Sequence, residues 1–420
     1  MLLRFQRGQR IWALLAAGSG GTVFGIMVVA LAVGVATKVP CLVGWSHNEP
    51  PRLCYSDITA LFGERSLGKH LFPYVHGHYV VGPSGIAFLS PGEIEYPVLT
   101  GLFAWVTALA AHTAQVFLVT NMVMLAPFGA VSAWLLWRLA GRRALLFAGA
   151  PAVAFYAFLN WDLLAVACAM GGIYVWSRRR PYVAAALFAI GGCCKVWPAF
   201  FLLPLALELL ASGDRRGALR TAMTAIGVAV VVNLPFVVLS PTGWYAPYAF
   251  QADWPVGRPT NSFWYWEARG LSTHSVDVLS SAAAAAGFVI IGAMAWRMAR
   301  RGGPFPFVQA CAAMVCWYLL AGKVDSPQYD LWVLPFFALL SVRRGLWVQF
   351  VLADAALYGW WLLGLTELPS LLYAIVLWRA GVLVWMMVSA WRAEPALAVG
   401  PRRRKTEGAE EVSRLEPVGV

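Results

Sequence analysis

The ionisable residues with the most chemical promise are few and scattered. Cys54-Tyr-Ser-Asp57-Ile opens a helical-looking stretch to Leu71, in which Ile58, Leu61, Phe62 and Leu67 alternate with Glu64, Arg65 and Lys69. That alternation suits a helix lying on a membrane surface. Asp57 there has two readings: an N-cap of the helix, with Ser56 as the other candidate cap, or a general base made stronger by partial burial at the hydrocarbon edge. Glu93 and Glu95, in Ser-Pro-Gly-Glu-Ile-Glu-Tyr-Pro, either favour the dipole of a following helix or hold a metal or sugar hydroxyls. Lys195 and Lys323 each end an apolar run shortly before a proline, Pro198 and Pro327. Such lysines either snorkel to the interface or, with Arg258, neutralise a lipid-borne phosphate.

Between Ser240 and Val276 lie Trp244, Tyr245, Tyr248, Trp254, Phe263, Trp264, Tyr265 and Trp266, together with Asp253, Asn261 and Glu267. Interfacial aromatics form anchoring belts, and rings beside polar groups also suit stacking on sugars. His274 closes this stretch, and His76-Gly-His78 lacks further ligands at metal-site spacing. Asp354 and Arg379, inside apolar runs, are expected to form an intramembrane ion pair. Cys41 and Cys54 fall in one long loop, where a disulfide is expected if that loop is extracytoplasmic. No phosphate-binding glycine loop, dinucleotide fingerprint or serine nucleophile elbow occurs.

The elements that must position these residues are membrane helices. The 420 residues are 60% hydrophobic and only 12% charged, with mean hydropathy +0.66. A soluble, disordered or coiled-coil chain has no such composition. The net charge of +12 is spread over short arginine clusters between apolar runs, a positive-inside pattern rather than a nucleic-acid-binding face. Arg4, Arg7 and Arg10 set the N-terminus in the cytoplasm before a retained span, Ile11–Thr37. A long extracytoplasmic loop, 38–115, follows. Further spans are expected at 116–140, 144–160, 162–176, 181–194, 197–211, 218–239, 277–298, 304–321, 329–342, 346–364 and 370–391, about 12 in all. This parity requires Pro97–Ala111 to lie at the outer interface without crossing. The polar breaks Asn160-Trp-Asp162, Lys195-Val-Trp-Pro198 and Lys323 to Asp330, which includes Gln328 and Tyr329, all fall on the extracytoplasmic side. Irregular backbone at that depth needs protein or water against it, so a polar chamber is expected there, under 38–115 and 240–276. The transmembrane domain is read as 1–394 and the charged tail, 395–420, as disordered.

Tyr55-Ser-Asp57-Ile, Glu93-Ile-Glu95-Tyr-Pro-Val-Leu-Thr-Gly, Asn160-Trp-Asp162, Lys195-Val-Trp-Pro198 and Ser326-Pro-Gln-Tyr329 resemble stretches of the integral-membrane glycosyltransferases of the GT-C fold, most closely glycosyltransferase family 87 of actinobacteria. That family includes polyprenyl-phosphomannose-dependent mannosyltransferases. The resemblance implies an all-α, GT-C-like polytopic membrane protein with interfacial helices in its first loop. It also implies Asp57 as catalytic base, with His274 as the one late candidate for a second catalytic group. The expected activity is inverting transfer of a hexose, in the first place mannose, from a polyprenyl phosphate at the extracytoplasmic face of the plasma membrane to a lipid or glycan. Substrate contacts are expected from Glu93, Glu95, Asn160, Asp162, Lys195, Arg258, Lys323, Gln328 and Tyr329. No cofactor, metal or nucleic-acid partner is expected, although Glu93 and Glu95 leave a metal open. The competing class is a transporter or flippase, which would place polar groups at the midplane of two related halves, whereas here they gather at one edge.

Overall fold

A computed structural model describes residues 2–43, 53–81, 87–253, 261–268, 270–365 and 367–397. The described chain is helical but for one short hairpin. In order the helices are α1 Leu2–Thr37, α2 Val39–Leu42, α3 Asp57–Glu64, α4 Val98–Ala108, α5 Ala114–Ala140, α6 Leu145–Ala148, α7 Pro151–Tyr156, α8 Asp162–Ser177 and α9 Pro181–Cys194. They continue as α10 Leu202–Ala211, α11 Arg215–Leu239, α12 Pro241–Ala252, α13 Phe263–Glu267, α14 Thr273–Arg300, α15 Phe307–Ala321, α16 Asp330–Leu339, α17 Arg344–Leu362 and α18 Pro369–Arg392. The hairpin pairs β1 Tyr79–Val81 antiparallel with β2 Ala87–Leu89, in the register Tyr79 opposite Leu89.

Five helical stretches are long and apolar enough to cross a membrane: Gly20–Thr37, Ala114–Ala148, Arg215–Leu239, Thr273–Arg300 and Pro369–Arg392. The chain is thus a multi-pass, all-α membrane protein. Several of these helices begin at a polar cap. Thr113, Asp214 and Ser272 accept hydrogen bonds from the backbone of Val116, Gly217 and Ser275, satisfying amides that helix geometry leaves open. Arg138, and Arg297 with Arg300, close the last turns of α5 and α14, where cations suit the dipole. The outer face of α11 leaves Leu219, Met223, Ile226, Val231 and Val238 exposed, as lipid contact requires.

A second set of apolar helices is shorter: Val98–Ala108, Asp162–Ser177, Pro181–Cys194, Trp197–Ala211 and Phe307–Ala321. At 1.5 Å per residue these reach about 16–24 Å, less than the hydrocarbon thickness. Several are buried instead. Every residue of Phe307–Cys316 is buried, and so is every residue of α16, as expected of helices apolar all round. With 11 residues α4 is too short to cross alone, and Thr100 Oγ1 ties it to the Cys194 carbonyl at 2.7 Å.

Three expectations change. The run 144–160 is not one helix but a 3₁₀ turn at Gly141–Ala144 followed by α6 and α7, because Pro151 starts a new helix and cannot continue the old one. Arg143 from this turn donates to the carbonyls of Phe337, Ala338 and Leu340, closing the C-terminus of α16. The stretch 240–276 contains α12 and α13, capped by Ser240 and Ser262. Residues 394–396, at the edge of the expected disordered tail, pair with Leu339–Ser341. The rest of that tail, from 398, lies outside the described residues.

Candidate active site

The start of α3 is pinned from two sides. The Cys41–Cys54 disulfide is formed and holds the chain three residues before Asp57. The backbone amides of Asp57 and Ile58 donate to the Leu159 carbonyl at 3.1 and 3.3 Å, which fixes α3 to the end of α7. The capping role falls to Ser56, whose Oγ accepts from Thr59 N at 3.3 Å. Asp57 is therefore released from capping.

Two carboxamides grip the Asp57 carboxylate. Asn160 Nδ2 donates to Oδ2 at 2.9 Å and Gln328 Nε2 donates to the same oxygen at 3.3 Å. Oδ1 takes no hydrogen bond from the described residues. Burial raises the Asp57 pKa from its ordinary 3.8, and Asn160, Lys195 and Lys38 pull it back while Asp162 adds to the rise. Asn160 Nδ2 also reaches Tyr96 Oη at 2.6 Å.

Behind this group lies a buried ion pair. Lys195 Nζ is 3.0 Å from Asp162 Oδ1 and 3.1 Å from Oδ2, with Trp332 Nε1 donating to Asp162 at 2.7 Å. The ammonium lies 5.0 and 5.4 Å from the ring centroids of Tyr96 and Tyr329, distances suited to cation–π attraction. Tyr329 stacks on Trp332 at 3.9 Å, and Trp332 on Trp197 at 5.4 Å. The polar break after α9 thus delivers Lys195 to the first turn of α8.

Glu95 adds a second pair, with Arg65, whose guanidinium also covers the Phe250 ring at 5.1 Å. Burial raises the Glu95 pKa, Arg65 lowers it, and Asp57 raises it again, so Glu95 lies within electrostatic reach of Asp57. Lys38 was legible only as the start of a loop. It is fully buried, with Nζ donating to the carbonyls of Tyr55 at 2.6 Å and Phe155 at 3.3 Å. Burial lowers its pKa from 10.5 to about 7, against the attraction of Asp57. A lysine directly after a long apolar run, as at Lys195, is the feature that marks it in the sequence.

The structure therefore brings together Asp57, Glu95, Asn160, Asp162, Lys195, Gln328 and Tyr329, and adds Lys38, Arg65 and Tyr96. Lys323 is elsewhere: it pairs with Asp277 of α14 and donates to the Ala252 carbonyl. Glu93 is buried at 1% exposure, with Gly77 packed against it, and shares no hydrogen bond with the group around Asp57. Burial raises its pKa from 4.5 to about 8. His274 is exposed in the first turn of α14, with no bond to that group. Arg258 lies outside the described residues. Among the described residues no three His, Cys, Asp or Glu side chains converge on a metal position. The expected pairing of Arg379 with Asp354 is also corrected. Arg379 bonds Asp325 at 3.2 Å and Asp330 at 2.8 Å, because both carboxylates face α18 from the turn before α16 and from its first residue. Asp354 instead accepts from Tyr156 Oη at 2.6 Å.

A half-buried carboxylate with one uncommitted oxygen, beside a lysine, can take a proton from a hydroxyl while the lysine meets an anion. The model of glycosyltransferase family 87 matches residues 83–321, a range that includes Glu95, Asn160, Asp162 and Lys195 but stops short of Asp57 and Gln328. No protein of curated function matches the sequence. One solved structure with a similar fold is ArnT from Cupriavidus metallidurans bound to undecaprenyl phosphate. It is 15% identical with a TM-score of 0.43, over 88% of this chain and 76% of that one, too slight a likeness to transfer any residue's role.

Proposed function

The chain belongs to glycosyltransferase family 87, and on that premise we propose that it moves a hexose, in the first place mannose, from a polyprenyl phosphate to a lipid or glycan hydroxyl. The observation that carries this reading is the double carboxamide grip on Asp57 Oδ2, which leaves Oδ1 without a hydrogen bond from the described residues and within the electrostatic influence of Lys195. Asp57 Oδ1 accepts the acceptor's hydroxyl proton as the acceptor oxygen bonds the anomeric carbon. The bond from that carbon to the phosphate oxygen breaks with its electron pair, and polyprenyl phosphate leaves. Lys195 meets the added negative charge, a contact that strengthens as the leaving group separates. One carboxylate acting as base in one displacement inverts the anomeric centre. Glu95, Asn160, Gln328 and Tyr329 line the approach and orient sugar hydroxyls.

The arginine clusters support a plasma-membrane protein with both termini cytoplasmic, so that the site faces the outer leaflet, where lipid-linked donors are reached. Mannose is favoured because the family resembled includes mannosyltransferases. The test uses purified protein in proteoliposomes with radiolabelled polyprenyl-phosphate mannose and a membrane lipid extract. Label entering a new product with the opposite anomeric configuration is expected. A flippase would move the donor across the bilayer without consuming it, and that result would end the proposal.

A further inference from the structure

The two carboxamides that hold Asp57 come from parts of the chain far apart in sequence, and both segments lead to one ionic cluster within the helical bundle. Gln328 sits between Asp325 and Asp330, and both of those aspartates bond Arg379 of α18, at 3.2 and 2.8 Å. Arg379, Asp325 and Asp330 are all buried. Asn160 follows α7, whose last residue, Tyr156, donates to Asp354 of α17 at 2.6 Å. Asp354 is in turn within electrostatic reach of Asp330. Between Tyr156 and Asn160 the chain is tight: the Leu159 amide donates to the Tyr156 carbonyl at 3.1 Å, and the Leu159 carbonyl receives the amides of Asp57 and Ile58.

From this geometry we infer that Arg379 is a positioning residue for sugar transfer: through Asp325, Asp330 and the Asp354–Tyr156 bond it sets both side chains that orient the Asp57 carboxylate. The inference rests on Asp57 being the reacting base. A guanidinium suits the task because its planar fork holds two carboxylates in fixed directions, which a lysine ammonium does not. It also explains why so costly a group lies in a membrane helix: a buried charge needs partners with good geometry, and here the partners bracket Gln328. Tyr329, in the same turn, covers Lys195, so the cluster aligns base and cation together. The titratable groups within electrostatic reach of Asp57 are Lys195, Asp162, Lys38, Glu95, Tyr55 and Tyr96. Arg379 touches none of them, and so acts only through the two turns.

The test compares wild type, Arg379→Lys, Asp325→Asn and Asp57→Asn in transfer from polyprenyl-phosphate mannose, with melting followed in detergent. Displacement of a reacting group by about 1 Å costs roughly 10²-fold in rate. Arg379→Lys is therefore expected to lower kcat by about 10–100-fold while donor KM stays within about 3-fold. Asp325→Asn keeps the Asp330 arm and the side-chain shape, so it tests the inference even where Arg379→Lys fails to fold. It is expected to lower kcat by a smaller factor and to move the acid limb of the pH–rate profile. Variants that melt early yet keep wild-type kcat and pH profile would reduce Arg379 to a structural ion pair and overturn the inference. Full activity in Asp57→Asn would overturn it together with the reading of the site, whereas an inactive Asp57→Asn beside unaffected Arg379 and Asp325 variants would overturn the inference alone.

Discussion

Replacing Lys195 by Met separates two roles of one ammonium. Asp162 is wholly buried and, among the described residues, keeps only the Trp332 indole as donor once Lys195 is gone. An orphaned buried carboxylate costs about 3–5 kcal/mol, so Lys195→Met should melt well below wild type. The double variant Lys195→Met with Asp162→Asn removes the charge as well as its partner. The Asn oxygen still accepts from Trp332, and stability should return to within about 1–2 kcal/mol of wild type. Activity should not return, because the leaving phosphate has lost its cation. Loss of one such transition-state contact is worth about 10²–10³-fold in kcat. The assay is paired: thermal unfolding in detergent, and initial rates of sugar transfer in proteoliposomes from the same preparations. A stable double variant that transfers sugar at the wild-type rate would show that Lys195 serves only to neutralise Asp162, and would remove it from the chemistry.

The hydrogen bond from Asn160 lowers the Asp57 pKa against burial. Asn160→Ala should therefore raise it further, and the acid limb of the kcat/KM profile should move to higher pH; a limb that stays or moves to lower pH would contradict the assigned base. Glu93 gives a stability prediction: between pH 4.5 and about 8 the folded chain keeps a proton that the unfolded chain has lost. Stability falls as pH rises through that window, by up to about 1.4 kcal/mol per unit. Glu93→Gln should flatten the slope of melting temperature against pH and melt higher than wild type at pH 8, with transfer activity retained.

The helices that were legible beforehand are those whose apolar runs stop at a charge or a proline. Pro181–Cys194 ends at Lys195, and Asp162–Ser177 begins after Asn160-Trp and closes before an arginine cluster, so composition alone marks their ends. The break at Ala148–Pro151 was not legible, because 144–160 is apolar throughout and only Pro151 interrupts it. Helix α12 was hidden by Pro247 and by aromatics that give weak 3.6-residue periodicity. At the site, Asn160 and Lys195 are legible as polar groups at the ends of apolar runs, Asp57 as the acid that opens the loop helix, and Gln328 as part of the polar break before α16. What the sequence could not show was pairing across the bundle. Lys38 reads as a loop residue until the carbonyls of Tyr55 and Phe155 close on it. Arg379 and Asp354 lie on the two helices of one hairpin, yet the bonds of Arg379 go to Asp325 and Asp330. Lys323 and Lys195 share the same local pattern, and only the packing of α14 gives Lys323 to Asp277.

The most direct measurement is the rate of sugar transfer by Asp57→Asn, a change that keeps the size of the side chain and removes the proton acceptor. With the melting temperature held near wild type, transfer should fall by at least about 10²-fold, the scale of general-base catalysis, while donor binding persists. Transfer at the wild-type rate by a folded Asp57→Asn protein would contradict the account.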